Sequence, residues 1–270
     1  MDTLVFRLYG PMLSWGEVAV GESRHTASHP GRSALLGLLG AALGIRRDDE
    51  DGQLALARSY RFAVKQLSAG LLIRDYHTTQ VPDSVGKFRY RTRRDELVIG
   101  RERLGTILSS REYRTDSLAL VAVRAEDNAV ASLNKLVDAL RKPHFQLYLG
   151  RKSCPLAAPL SPQLIEGVFH WMDAFSEYAM LPILLSGNGV AESRDAVPKR
   201  DRYWLSLPSQ PTYYWEGDIA DLAKPGAEFA PSQVQTLIRH DQPRSRRRWQ
   251  FNPRQEHLYQ PISERTGEGT

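Results

Sequence analysis

Cysteine is nearly absent: the 270 residues contain one, Cys154. Neither an intrachain disulfide nor a cysteine-based metal cluster can form, which fits a reducing compartment. Long apolar runs are missing too. The most apolar stretch, Ser33 to Ile45, has thirteen residues, short of the roughly 20 that cross a bilayer. It also lacks the basic start and small-residue cleavage site of a secretory signal, so a cytoplasmic protein with no membrane contact is expected. There is no Gly-x-x-x-x-Gly-Lys-Ser/Thr phosphate loop, which argues against nucleotide hydrolysis. His25 and His29 are four apart, but Pro30 and Gly31 place them in a loop and no carboxylate pair completes a site, so no metal or cofactor is expected.

Lysine is also scarce, seven residues against 29 arginines, in a chain of net charge +5 and pI near 9.3. Arginine presents a planar fork of donors that matches phosphate and stacks on bases. That bias suits a nucleic-acid partner, although a GC-rich genome produces the same bias, so clustering carries more information. In "VGKFRYRTRRDE", Lys87, Arg89, Arg91 and Arg93 alternate with Phe88, Tyr90 and Thr92. On a strand, alternate side chains face opposite ways, giving a ribbon with one cationic and one aromatic face, and "ELVIGRERLGTIL" reads as the returning strand. Such arginines could guard an exposed edge or grip a polyanion. In "IRHDQPRSRRRWQFNPR", six arginines stand against one aspartate, with Arg246, Arg247 and Arg248 directly before Trp249 and with Phe251 beyond. Cations interleaved with rings supply phosphate neutralisation and base stacking for a single strand; a disordered basic tail is the other reading.

The rest of the pattern predicts an α+β fold. "TLVFRLYG" alternates like a half-buried strand. "DDEDGQLALARSY" is a short helical pattern, "RFAVKQL" and "GLLIRDYHT" are strands, and "DSLALVAVRA" is a strongly apolar strand. "NAVASLNKLVDALRKP" is the best amphipathic helix, apolar at Val130, Leu133, Leu136, Val137 and Leu140. Strand, helix, strand, insertion, strand, helix resembles a ferredoxin-like, RRM-like β-α-β-β-α-β core. We expect residues 1–160 to form that domain, with a hairpin thumb inserted at about 79–112, and residues 161–270 to form a smaller, irregular lobe.

The apolar block "PGRSALLGLLGAALGIRRDD" reads as a helix. Ala34, Gly37, Gly40, Ala41 and Gly44 share one face and the leucines another. Glycine costs about 1 kcal/mol in a helix interior, so a closely approaching backbone is expected against the small face. Ser33 is the expected N-cap, and the free N–H groups beside Arg32 could hold an anion. In "YLGRKSCP", Gly150 permits a turn with close backbone approach, and Arg151, Lys152 and Ser153 follow as phosphate donors.

"LVFRLYGPMLSWG", "GRSALLGLLGAALGIRRDD", "IRDYHT", "SREY", "YLGRKSCPLAAPL" and "RRWQF" occur in the order found in one family. The chain resembles the CasD subunits of type I-E CRISPR Cascade complexes, with Leu13 standing where relatives usually carry Gln. The resemblance implies a non-catalytic subunit that caps the 5′ handle of the guide RNA (crRNA), its thumb wedging beside a displaced nucleotide at the handle–spacer junction. Its partners would be the crRNA, the backbone, large, small and crRNA-processing subunits, and target DNA through the assembled complex. Splayed bases and phosphates are the usual targets in single-stranded RNA. The candidates for that contact are Trp15, Arg24, Arg32, Ser33, Arg46, Arg47, Tyr76, His77, Tyr148, Arg151 and Lys152, together with Lys87, Arg89, Arg91 and Arg93 of the ribbon and Arg246, Arg247, Arg248 and Trp249 of the second cluster. The competing class is a metal-independent endoribonuclease, because a related protein of another CRISPR subtype processes repeat RNA. His77 between Tyr76 and Thr78, with Lys87 as helper, would be its candidate base.

Overall fold

The computed structural model describes residues 1–19, 21–84, 89–183, 199–226 and 229–261. Three long strands form the centre of the larger sheet: β1 (Thr3–Gly10), β3 (Tyr60–Ser68) and β6 (Ser117–Ala125). β6 pairs antiparallel with both of the others, and β7 (Gln163–Ile165) pairs with the second edge of β1. Side-chain alternation sends Leu4, Phe6 and Leu8, with Ala119, Val121 and Val123, to one core. Val5, with Leu118, Leu120 and Ala122, goes to the other. The near-continuous apolar runs of β1 and β6 follow from this: a strand covered on both faces has no polar side to show.

Helices α1 (Arg32–Leu43), α2 (Glu50–Ser59) and α4 (Leu133–Arg141) cover the first face. α2 starts on Asp49, whose carboxylate accepts from the Gly52 N–H, and α4 on Ser132, whose hydroxyl accepts from the Lys135 N–H. Of the expected stripe, Leu133, Leu136, Val137 and Leu140 are buried, while Val130 precedes the helix and is exposed.

α1 differs from expectation at its entrance. Its N-cap is Gly31 rather than Ser33, and the Asp241 carboxylate accepts from the Arg32 N–H at 2.7 Å. The anion at this helix start is therefore the protein's own. The small face of α1 meets side chains rather than a backbone: a Cβ on Gly40 would lie 3.2 Å from Leu56, and one on Gly37 would lie 3.7 Å from the Arg246 guanidinium.

Residues 161–270 were expected to form a smaller, irregular lobe; strands from this half extend the larger sheet. β8 (Thr212–Trp215) pairs with β3, β10 (Gln250–Tyr259) with β8, and β9 (Gln235–Ser245) with β10. The order is β7-β1-β6-β3-β8-β10-β9. α5 (Trp171–Glu177) lays Trp171 and Phe175 on the second face, while α6 (Lys199–Trp204) follows later in the chain. β8 is only four residues long, too short for its alternation to be read, and its pairing partner lies far away in sequence.

A second sheet, β2-β5-β4, joins β2 (Ser23–Arg24) to a hairpin of β4 (Leu71–Pro82) and β5 (Leu104–Thr115), whose strands start before and end after the expected 79–112. β4 and β5 pair from Leu71–Thr115 to Pro82–Leu104, an arm of roughly 40 Å at the usual strand rise. The expected cationic ribbon is not the arm's strand. Residues 85–88, Lys87 among them, lie outside the described residues, and Arg93–Leu97 is a short helix, α3. Thr92 accepts from the Asp95 N–H while Asp95 accepts from the Thr92 N–H, a capping box that starts a helix where charge alternation predicts a strand. Arg89, Arg91 and Arg93 therefore do not share one strand face.

At the arm's root, Leu13 is buried and exchanges two 2.9 Å backbone hydrogen bonds with Arg114. Gly150 has φ +82, and a Cβ there would lie 1.8 Å from the Ser14 carbonyl oxygen, the close approach its position predicts.

Candidate nucleic-acid interface

The entrance of α1 and the β9–β10 hairpin are joined by a buried ion network. Arg254 Nε donates to Asp241 Oδ1 at 2.5 Å and its Nη2 to Glu256 Oε1 at 2.6 Å, with Glu216 3.5 Å away. Arg32 pairs with Glu216 and donates to the Ala57 and Tyr60 carbonyls. Arg239 sits between Glu17 and Glu256. His29 Nε2 lies 2.9 Å from Glu256, and its ring is stacked on Tyr214 with centroids 3.5 Å apart. Arg32, expected at an RNA contact, is thus 8% exposed, with both terminal nitrogens engaged inside the fold. Three of the groups counted towards a basic surface, Arg32, Arg239 and Arg254, neutralise internal carboxylates instead.

Burial alone would raise the Glu256 carboxyl, but the hydrogen bond from His29 and the Arg254 guanidinium outweigh it and hold it at about 2, below the ordinary 4.5. Stability from this depressed carboxylate is present above pH 4.5 and is lost as pH falls towards 2. Burial pushes Glu216 up, against Arg32 and Arg254, so its protonation acts in the opposite sense. In Glu256→Gln the acid-induced fall in urea-unfolding free energy across that window should flatten; a profile like the wild type's would contradict the pairing.

Beyond this network, the β9–β10 turn presents cations and rings. Arg246 donates to the Ser33 carbonyl oxygen, and Arg247 and Arg248 are exposed. Trp249, at φ +57, holds its ring 57% exposed. Arg47, from the loop between α1 and α2, places its guanidinium 4.5 Å from the Trp249 ring centroid, and Phe251 meets the same ring edge-on. Arg46 is exposed and pairs with Asp48 at 3.1 Å. Trp15, Ser33, Arg246 and Trp249 all line one recess of about 350 Å³ between α1 and the turn. Trp15 is only 3% exposed, so its ring is part of the core and not a free stacking platform.

Two groups of expected residues lie elsewhere. Arg24, Tyr76 and His77 belong to the arm sheet; Tyr76 is 62% exposed and His77 Nδ1 lies 3.1 Å from Asp75. Nearby, Glu112 is desolvated, yet Arg74 and His25 hold it below its ordinary value. Tyr148 and Lys152 are exposed, while Arg151 rests 4.7 Å over the Tyr113 ring. In α3's cap region Arg89 and Arg91 are exposed, whereas Arg93 is engaged by Glu96 and the Gln80 carbonyl. Ile238 and His240, not singled out from the sequence, also line the recess. Their signal was present: "IRHD" lies on β9, the strand that runs into the arginine turn.

Residues 3–255 match the family described as "CRISPR-associated protein (Cas_Cas5)", and the chain belongs to that family. It is similar to the CRISPR system Cascade subunit CasD of Escherichia coli (strain K12), at 38% identity over 165 residues, covering 58% of this chain and 68% of that protein. A solved chain from a "CRISPR RNA-guided surveillance complex" superposes with TM-score 0.61 at 24% identity, covering 96% of this chain and 90% of its own length. Another, from "Crystal structure of Cas protein", gives TM-score 0.55 at 25% identity over 99% of this chain and 98% of its own. Both share the mixed, mostly antiparallel fold. Among the described residues no helix is long and apolar enough to cross a membrane.

Proposed function

We propose that this chain is a non-catalytic subunit of a type I-E Cascade complex that holds the 5′ handle of the crRNA and leaves it uncut. The observation that carries this is the stacking of Arg47 on Trp249 beside Arg247 and Arg248. Segments from opposite ends of the chain meet in one surface with cations for phosphates and rings for bases. Membership in the Cas5 family and similarity to a Cascade subunit supply the context. We read β1, β3, β6 and β7 with their covering helices as the ferredoxin-like core, and the β4–β5 arm as the thumb that wedges at the handle–spacer junction. Arg89 and Arg91 beyond the arm's first strand would meet the RNA there, and Arg24, Tyr76, Tyr148 and Lys152 offer further exposed contacts. The remaining Cascade subunits would cover other faces, and target DNA would be reached only through the assembly.

One observation favours the endoribonuclease reading: the His77–Asp75 pair at 3.1 Å beside exposed Tyr76, since a carboxylate orients an imidazole for proton transfer. Labelled repeat RNA incubated with the pure chain in EDTA separates the two. Retained, intact RNA is expected; a site-specific product ending in a 2′,3′-cyclic phosphate, lost in His77→Ala, would replace the binding role with catalysis.

A further inference from the structure

The arm has one covered edge and one open edge. On β5 the outer edge is taken by β2, at Ser110 and Arg111, and by the backbone bonds between Leu13 and Arg114. Among the described residues β4 pairs with β5 alone, so its other edge offers backbone donors and acceptors to a further strand. From Leu71 to Thr79 every residue but Asp75 is exposed, Leu71 to 76%. Proteins usually blunt such an edge by shortness, Lys, Pro or a bulge. β4 runs for 12 residues, contains no Lys, carries Pro only at its last position and pairs with β5 without a register shift.

The residues along that edge are complementary to themselves. Two copies related by a two-fold axis make an isologous contact, and an axis perpendicular to a continuing antiparallel sheet keeps each side chain on its own face. Residues opposite each other in such a pair share a face, so the axis has to pass between two copies of the same residue. Centring it on Arg74 or on Asp75 sets like charges against each other, which is unfavourable. Centring it on Tyr76 sets ring beside ring and places Asp75 of each copy opposite His77 of the other. Asp75 and His77 already lie 3.1 Å apart within one chain, so the four groups alternate around the axis on the face away from Tyr76. A carboxylate accepts from an imidazole N–H whether or not the ring is charged. Arg74 then meets Thr78 and Ile73 meets Thr79, with no like charges opposed.

We infer that this chain associates with a second copy of itself through the outer edge of β4, in antiparallel register about Tyr76. The pairing needs no RNA, so it is independent of the proposed binding role. It also gives a cover to Leu71, Leu72 and Ile73, three consecutive apolar residues that the single chain leaves exposed.

Disulfide trapping tests this on the full chain. Opposed residues of an antiparallel pair have Cα atoms about 4.5–5.5 Å apart, within the span of a disulfide, and the natural Cys154 is buried. Under a mild oxidant Tyr76→Cys should therefore give a covalent dimer of twice 30.5 kDa. Thr78→Cys, also at an exposed position, should cross-link at least about tenfold more slowly, because the two copies of that residue would stand roughly 14 Å apart. Adding His77→Asp to Tyr76→Cys opposes carboxylates in both outer pairs and should slow the cross-link by about tenfold. Adding the full exchange, Asp75→His with His77→Asp, should restore it. Equal rates at positions 76 and 78, or an exchange that restores nothing in a chain whose urea unfolding matches the wild type's, would overturn the pairing. So would a free chain that gives no cross-link, even if the same thiol joined another subunit of the assembled complex, since the edge would then belong to a foreign strand. The comparison of positions 76 and 78 changes one exposed residue at a time, so it decides the matter even if the exchange disturbs the arm.

Discussion

Replacing Arg254 by Ala is expected to lower the unfolding free energy by about 3–5 kcal/mol, the usual result of removing one partner from a buried ion pair. The guanidinium touches Asp241, Glu256 and Glu216 at once, and all three carboxylates are largely buried. Without it, Asp241, Glu256 and Glu216 each lose a guanidinium partner inside the protein. Urea unfolding at pH 7 checks this. A loss under about 1 kcal/mol, the scale of an exposed pair, would mean that the network is solvated and does not fix the hairpin. The position of Trp249 depends on this result, because the network anchors the two strands whose turn carries it.

Exchanging Arg47, Arg247 and Arg248 together for Gln should weaken binding of the guide's 5′ end by about a hundredfold at 0.1 M salt, with the difference vanishing near 1 M. Each phosphate neutralised on a single strand contributes about 0.7 to the slope of log K against log salt, so three lost contacts remove about two units. Equilibrium binding at several salt concentrations reads both quantities. An unchanged slope would show that these arginines face solvent and not the RNA backbone. The stability of the triple variant should stay near that of the wild type, since Arg247 and Arg248 are exposed and surface changes of this kind are usually within about 0.5 kcal/mol.

How far the sequence could be read depended on the range of the interactions. β6 and α4 were legible because each buries a pattern written within its own residues, a continuous apolar strand at Ser117–Ala125 and a one-faced helix behind Ser132; β1 was legible as a strand, but not as half-buried, since all of Thr3–Gly10 is buried. The arginine clusters were legible as charge but not as roles. Arg32, Arg239 and Arg254 look like Arg47, Arg247 and Arg248 in the sequence, and only tertiary contact with Glu216, Asp241 and Glu256 separates buried counter-ions from exposed cations. Trp15 carried the same ambiguity, since an indole serves a core or a stacking site equally well. Its burial in the core becomes visible only in the folded chain. At Thr92 to Asp95 a local signal was present and was outweighed: the capping box stood within the run whose alternation suggested a strand.

The most direct test of the account is photo-crosslinking in the assembled complex, with a reactive nucleotide placed at each position of the guide's 5′ end and the attached peptides identified by mass spectrometry. Crosslinks should fall on this chain, in the loop containing Arg46 and Arg47 and in the turn from Arg246 to Phe251. Crosslinks that fall on other subunits alone, with both of those segments unmodified, would contradict it.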